Sequence, residues 1–300
     1  MLGAGTLKTR REIKDMFGYE FAYGTVGGLH HSDPVNLKSN QDALVVISSE
    51  NRLAAVVCDG CSGGKNSEVG AKIGARLIAQ ELCQIEKLLR NYNGENPGYL
   101  TALLEKSRQD ILAQLRILAE AMGGSFTETI RGYFLFTVLG LLMTPDLTFF
   151  FHNGDGLFLV NGNKYQIGPF PEDKPPYLAY GMVETDFTQA EISFTLDLAI
   201  PTSEVDSVVI GSDGLADLIN SADRKLPGKE KTFGPINQFW EEDIFFRNPD
   251  AIRRRLVSAN LTSITVDRDG NLVREVGFLP DDTTLVVVRK QKEEAGAGSN

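Results

Sequence analysis

Apolar residues recur along this chain with two different periods, and the switches between them outline a fold. Short runs rich in β-branched and aromatic residues at 42–48, 53–58, 133–143, 147–152, 157–160, 164–167, 191–196, 206–210 and 285–288 read as strands. Another strand is expected from Phe21 onward. After the run at 53–58 the spacing becomes helical. Val69, Ile73, Leu77, Ile78, Leu82, Ile85, Leu88 and Leu89 mark a long helical pattern with Ser67 the expected N-cap, and Leu100, Leu103, Leu104, Ile111, Leu115, Leu118 and Met122 mark a second that stops at Gly123-Gly124.

Ser49-Glu50-Asn51-Arg52 is short and polar enough to close a hairpin between the runs at 42–48 and 53–58. Turn chemistry at Thr144-Pro145-Asp146, Gly154-Asp155-Gly156 and Asn161-Gly162-Asn163 separates later strands. A Pro-rich interval at 168–176 reads as a surface flap. From Asp213 the pattern is helical to about Asn260, followed by a hairpin-like stretch at 266–276 and the last strand. The expected architecture is α+β, with helices on the outer faces of packed sheets. Residues 1–17 read as a flexible lead-in, 18–290 as a single catalytic domain and 291–300 as a disordered tail.

Composition narrows the function. With 300 residues and 42% hydrophobic content there is ample material for a core. A net charge of −10 opposes binding to nucleic acid or to a lipid surface, since both need clustered cations. No run has the apolar length of a membrane span or of a signal peptide, which makes a cytoplasmic location the expectation. The 3 cysteines do not suit a secreted disulfide framework.

Chemistry enters where the strands end. Asp42, Asp59, Asp155, Asp213 and Asp281 each flank an apolar run, most beside glycine, and Asp217 lies one helical turn beyond Asp213. Carboxylates gathered at one rim of a sheet repel one another and lose hydration, a cost that a divalent cation removes. All-oxygen donors favour Mg²⁺ or Mn²⁺ over zinc. Cys58 and Cys61 form a C-x-x-C, but Cys83 is the only other thiol and a zinc site would want more.

Taken together, Asn40-Gln41-Asp42, Cys58-Asp59-Gly60 with Gly63-Gly64, Gly154-Asp155, Ser212-Asp213-Gly214 with Asp217, and Asp281-Asp282-Thr283-Thr284 resemble, in order and spacing, the metal-dependent protein phosphatases of type 2C. The chain resembles bacterial members, particularly those with Gly-x-x-His ahead of Asn-Gln-Asp and with Ser-Glu-Val-Gly-Ala, here Ser67 to Ala71, after the Asp-Gly turn. The resemblance implies a four-layer α-β-β-α sandwich of two stacked antiparallel sheets. It implies two Mn²⁺ or Mg²⁺ ions, with Asp59 bridging them, the carbonyl of Gly60 on one, and Asp213 and Asp281 on the other. Asp42 would reach the ions through solvent, and Asp155 and Asp217 would join Asp213 around a third, weaker ion found in some members. The implied reaction is direct attack on phosphoserine or phosphothreonine by a bridging water or hydroxide, with no phosphoenzyme. Asp42 and Asp59 are the catalytic pair in this reading.

Departures from the family pattern are specific. Leu37 stands where many members place a phosphate-binding Arg; His30, His31 and Lys38 are the candidates to replace it, with a local structural role the alternative for the two histidines. Cys61 stands where many eukaryotic members have a His proposed as general acid, and Gln41 where many have Glu. The expected partners are a phosphorylated protein and a cognate serine/threonine kinase. Two alternatives stay open: a weakened phosphatase-fold module that binds or senses a phosphoprotein, and an enzyme acting on a small phosphorylated metabolite.

Overall fold

The computed structural model describes residues 16–29, 39–90, 96, 98–266 and 270–292. Two five-stranded antiparallel sheets form its centre. The first contains β1 (Tyr19–Val26), β6 (Gly156–Val160), β7 (Asn163–Ile167), β9 (Ser207–Gly211) and β12 (Thr283–Lys290), in the order β1-β12-β9-β6-β7. The second contains β2 (Asp42–Ser49), β3 (Arg52–Asp59), β4 (Val138–Met143), β5 (Leu147–Asn153) and β8 (Thr195–Pro201), in the order β2-β3-β4-β5-β8.

The inner strands β3, β4, β6, β9 and β12 lack a polar face because both of their faces are covered, whereas the edge strands β7 and β8 keep exposed positions. Along β3, Leu53, Ala55 and Val57 enter the layer between the sheets, while Ala54, Val56 and Cys58 face the helices. β12 repeats the pattern: Val286 and Val288 point to the inter-sheet layer, Leu285 and Val287 to the opposite face. Phe150 of one sheet stacks on Phe158 of the other with ring centroids 4.7 Å apart. Burying each such side chain is worth roughly 1.5–3 kcal/mol.

Helices α1 (Ser67–Leu89), α2 (Tyr99–Met122) and α3 (Phe126–Tyr133) cover the second sheet. α4 (Gly214–Asn220), α5 (Gln238–Glu241), α6 (Ile244–Arg247) and α7 (Ala251–Asn260) cover the first. The four-layer α+β sandwich expected from the sequence is thus the observed architecture. Close approach of α1 to its sheet depends on Gly74, where a Cβ would lie 2.2 Å from the Phe136 ring. The hairpin of β10 (Ser263–Val266) and β11 (Leu272–Glu275) stands apart from both sheets. Among the described residues no helix is long and apolar enough to cross a membrane.

Several local expectations change. Residues 126–133 are helical where a strand was expected to begin at Tyr133; Ser125 caps that helix by accepting from the Glu128 N–H, a sequence-local bond that outweighs the following apolar run. The strand expected over 191–196 begins only at Thr195, because Glu191 folds back to accept from the N–H and hydroxyl of Thr188. Asn66 rather than Ser67 occupies the N-cap of α1. Met16, placed in the lead-in by its sequence, is 2% exposed and pairs with Tyr19, and Gln291 donates from its backbone to the carbonyl of Gly18.

Candidate metal centre

One end of the sandwich collects the strand-end aspartates. Asp42 opens β2 and Asp59 closes β3, and the two are direct partners in the antiparallel register. Asp213 follows β9 and stands at the start of α4; Asp155 lies in the turn between β5 and β6; Asp281 precedes β12. Asp59, Asp155, Asp213 and Asp281 line a single cleft of about 360 Å³, together with Gly60, Cys61, Thr137, Gln166 and Tyr177. Segments far apart in sequence converge there because the antiparallel connections return each chain end to the same rim.

Backbone bonds fix the rim. Gly60 donates to the carbonyl of Gln41 at 3.2 Å, Cys61 to that of Leu135 at 2.9 Å, and Thr137 to that of Asp59 at 2.8 Å. Gly60 packs so closely on α1 that a Cβ would sit 2.9 Å from the carbonyl carbon of Ser67. On the other side, a Cβ at Gly214 would lie 2.2 Å from the carbonyl oxygen of Asp282, so α4 can start only where it does with glycine.

Behind this rim lies a polar network that the sequence did not disclose. Ser212 donates to Asp42 Oδ2 at 2.7 Å and its oxygen accepts from the Thr284 N–H at 3.2 Å. Asp282 is 2% exposed; its Oδ1 accepts from the Gly28 N–H at 2.7 Å and its Oδ2 from the Gln41 N–H at 2.6 Å. Asp282 is a scaffold carboxylate tying three segments to the rim, whereas the neighbouring Asp281 faces the cleft. The repeated Asp-Asp is the one signal that could have suggested two roles. Gln41 donates through Nε2 to Ser67 Oγ and, at 3.2 Å, to the Cys61 carbonyl, bracing the turn after Asp59.

The electrostatics are one-sided. Among the described residues every charged side chain lining the cleft is a carboxylate. Burial pushes Asp59 well above the usual carboxylate range, and Asp42, Asp213, Asp281 and Asp155 add to the shift. Burial raises Asp42 to about 8 against the opposing hydrogen bond from Ser212, with Asp282 adding to the rise. Asp213 rises to about 7, again through burial first and then Asp281 and Asp155. Asp217 is raised by burial and by Asp281. It lies outside the cleft, on the wall of an adjoining groove.

Among the described residues no three His, Cys, Asp or Glu side chains close into a ready-made ion cage. The aspartates share one field rather than one coordination sphere. Their chemistry nevertheless fits a hard divalent cation: among the described residues the charged groups on the cleft are all carboxylates, and Asp42 Oδ1 is buried without a hydrogen-bond partner. Cys58 is buried in a strand and Cys61 partly buried on the cleft; both are free thiols. Burial raises the phenol of Tyr177, which lines the cleft, and the neighbouring Cys61 adds to the shift. His152 bonds through Nδ1 to Asp197 at 2.8 Å and is not on the cleft. His30, His31, Lys38 and Leu37 lie outside the described residues.

A family model for protein phosphatase 2C matches residues 32–256. Among solved structures, a bacterial serine phosphatase shares 16% identity, with 92% of this chain and 99% of that one covered and a TM-score of 0.50. The serine/threonine phosphatase Stp1 from Staphylococcus aureus gives 16% identity, 91% and 95% coverage and a TM-score of 0.49. The catalytic domain of the serine/threonine protein phosphatase PstP, in complex with two manganese ions, gives 17%, 91%, 99% and 0.49. No curated protein matches the chain. At these identities the structural likeness speaks to the fold.

Proposed function

The chain belongs to the protein phosphatase 2C family, and from that premise we propose that it is a Mn²⁺- or Mg²⁺-dependent phosphatase acting on phosphoserine or phosphothreonine in proteins. The observation that supports this most is the cleft whose only charged side chains, among the described residues, are Asp59, Asp155, Asp213 and Asp281. Such a site disfavours a phosphate dianion by itself. It becomes a phosphate site once divalent cations reverse its charge.

In this reading Asp59 and the Gly60 carbonyl, with Asp213 and Asp281, would hold two ions, and Asp155 and Asp217 would join Asp213 around a third. Ions held there supply a Lewis acid for the phosphoryl oxygens and acidify water enough to serve as a nucleophile near neutral pH. The protein's own residues do the positioning. Asp42 is held by Ser212 at Oδ2, which leaves its unpartnered Oδ1 to accept from solvent at the centre. Asp282 and Gln41 keep the two turns carrying Asp281 and Asp59 in place. Tyr177 and the flap limit the water that can enter beside the substrate. A cytoplasmic location, a phosphorylated protein as substrate and a cognate kinase as partner complete the proposal.

Among the described residues the cleft carries no cation, which favours a second reading, a phosphoprotein-binding module with weakened turnover. Hydrolysis of an aryl phosphate and of a phosphothreonine peptide in Mn²⁺, Mg²⁺ or chelator separates the two. Metal-dependent turnover that disappears in Asp59→Asn supports the enzyme; metal and peptide binding with no turnover in the native chain supports the module.

A further inference from the structure

Beside the acidic cleft a second groove, of about 470 Å³, runs between the stretch from Asp217 to Arg224 and the stretch from Gly277 to Pro280. It adjoins the centre on both walls. Asp217 is one helical turn beyond Asp213, and Pro280 is bonded directly to Asp281. Among the described residues this groove, unlike the cleft, carries a cation. The Arg224 guanidinium carbon lies 4.9 Å from the centroid of the Phe278 ring, and among the described residues no carboxylate pairs with it.

Arg224 is exposed but its backbone is fixed: its N–H donates to the Ser221 carbonyl at 3.0 Å and its carbonyl accepts from the Phe233 N–H at 2.8 Å. The exposed Arg253 and Arg254, by contrast, both pair with Asp250. An uncommitted guanidinium held on an aromatic floor next to an acidic centre is suited to a negative group on an incoming ligand. The apolar surface of Leu29, Phe278 and Pro280 and the amide of Asn220 can accommodate an extended peptide.

The geometry points to this groove as the binding site for the peptide flanking the phosphorylated residue of the substrate, with an acidic side chain of that flank paired to Arg224. This deepens the phosphatase reading and rests on it. It makes Arg224 a specificity residue, apart from the aspartates that would carry the chemistry.

The test uses phosphothreonine peptides that differ only in bearing Glu, Gln or Lys in the flank, with that residue moved one position at a time on either side. Turnover is measured in Mn²⁺ at low salt for the native chain, Arg224→Ala and Arg224→Glu, with an aryl phosphate as a substrate that has no flank. At one flank position the native chain should prefer Glu over Gln in kcat/KM by about twofold to fivefold, the size of a solvent-exposed ion pair. Arg224→Ala should abolish the preference, Arg224→Glu should turn it toward Lys, and aryl phosphate turnover should stay unchanged. A native chain blind to flank charge, or a preference that survives in both variants, overturns the assignment. If the native chain hydrolyses nothing, the phosphatase reading fails by itself, and fluorescence anisotropy of the same peptides in Mn²⁺ decides the groove by the same three-way comparison.

Discussion

Asp42 and Asp59 face one another across the antiparallel ladder of β2 and β3, one opening its strand and the other closing its own. Like charges directly opposite on a sheet destabilise it. Here the conflict is sharper because Asp42 is 4% exposed, and burial is the largest cause of the upward shift in both groups. The chain keeps a cost at this rim that a folded scaffold alone does not need, which is the physical basis for assigning the rim to cations.

That cost has a pH signature. Asp42 and Asp213 have folded values near 8 and 7, against an unfolded value of 3.8. Groups raised on folding contribute stability that is fully present below about pH 4 and lost as pH rises through 7 to 8. In chelator the melting temperature should therefore fall between pH 5 and pH 8, by about 2 °C for each kcal/mol lost in a chain of this size. Saturating Mn²⁺ should flatten or reverse the fall, as read by thermal melts in the two buffers.

Asp59→Asn separates stability from function. Removing a buried carboxylate that meets four others should raise the metal-free melting temperature at pH 8. Metal-dependent hydrolysis should drop by about 100-fold or more, since the variant loses a donor to the ions. Parallel melts and turnover measurements check both signs.

Ser212→Ala tests the network behind the rim. The hydroxyl is the donor to Asp42 Oδ2 and the acceptor for the Thr284 N–H, so its loss leaves two buried groups short of a partner. The expected cost is about 1–3 kcal/mol in urea unfolding. The Mn²⁺ affinity of the same variant should weaken in titration calorimetry, because Asp42 is then no longer held toward the centre.

Gly74→Ala tests the packing of α1. The added methyl would lie 2.2 Å from the ring of buried Phe136, whose backbone bridges Gly60 beside Asp59. Overpacking of this kind costs about 1–3 kcal/mol. Denaturant midpoints should show the loss with little change in the slope of the transition.

Much of this was legible in the sequence because periodicity reports burial. The hairpin of β2 and β3, the two long helices and the strand-end aspartates could all be read from it, since a strand buried on both faces must be continuously apolar and an acidic residue must then end it. Local hydrogen bonds defeated the reading at Ser125 and Glu191, whose side chains bond nearby backbone and displace the expected strands. The roles of Asp282, Ser212 and Arg224 were hidden for a different reason. Each depends on a partner more than fifty residues away in sequence, such as Gly28 for Asp282, Asp42 for Ser212 and Phe278 for Arg224, and no local pattern encodes those meetings.

The most direct test of the central claim is an anomalous difference map from crystals grown in Mn²⁺. Two peaks in the cleft, within bonding distance of Asp59, Asp213 and Asp281 oxygens, are the expected result. Manganese bound only elsewhere, or a cleft without a peak under saturating ion, would contradict it.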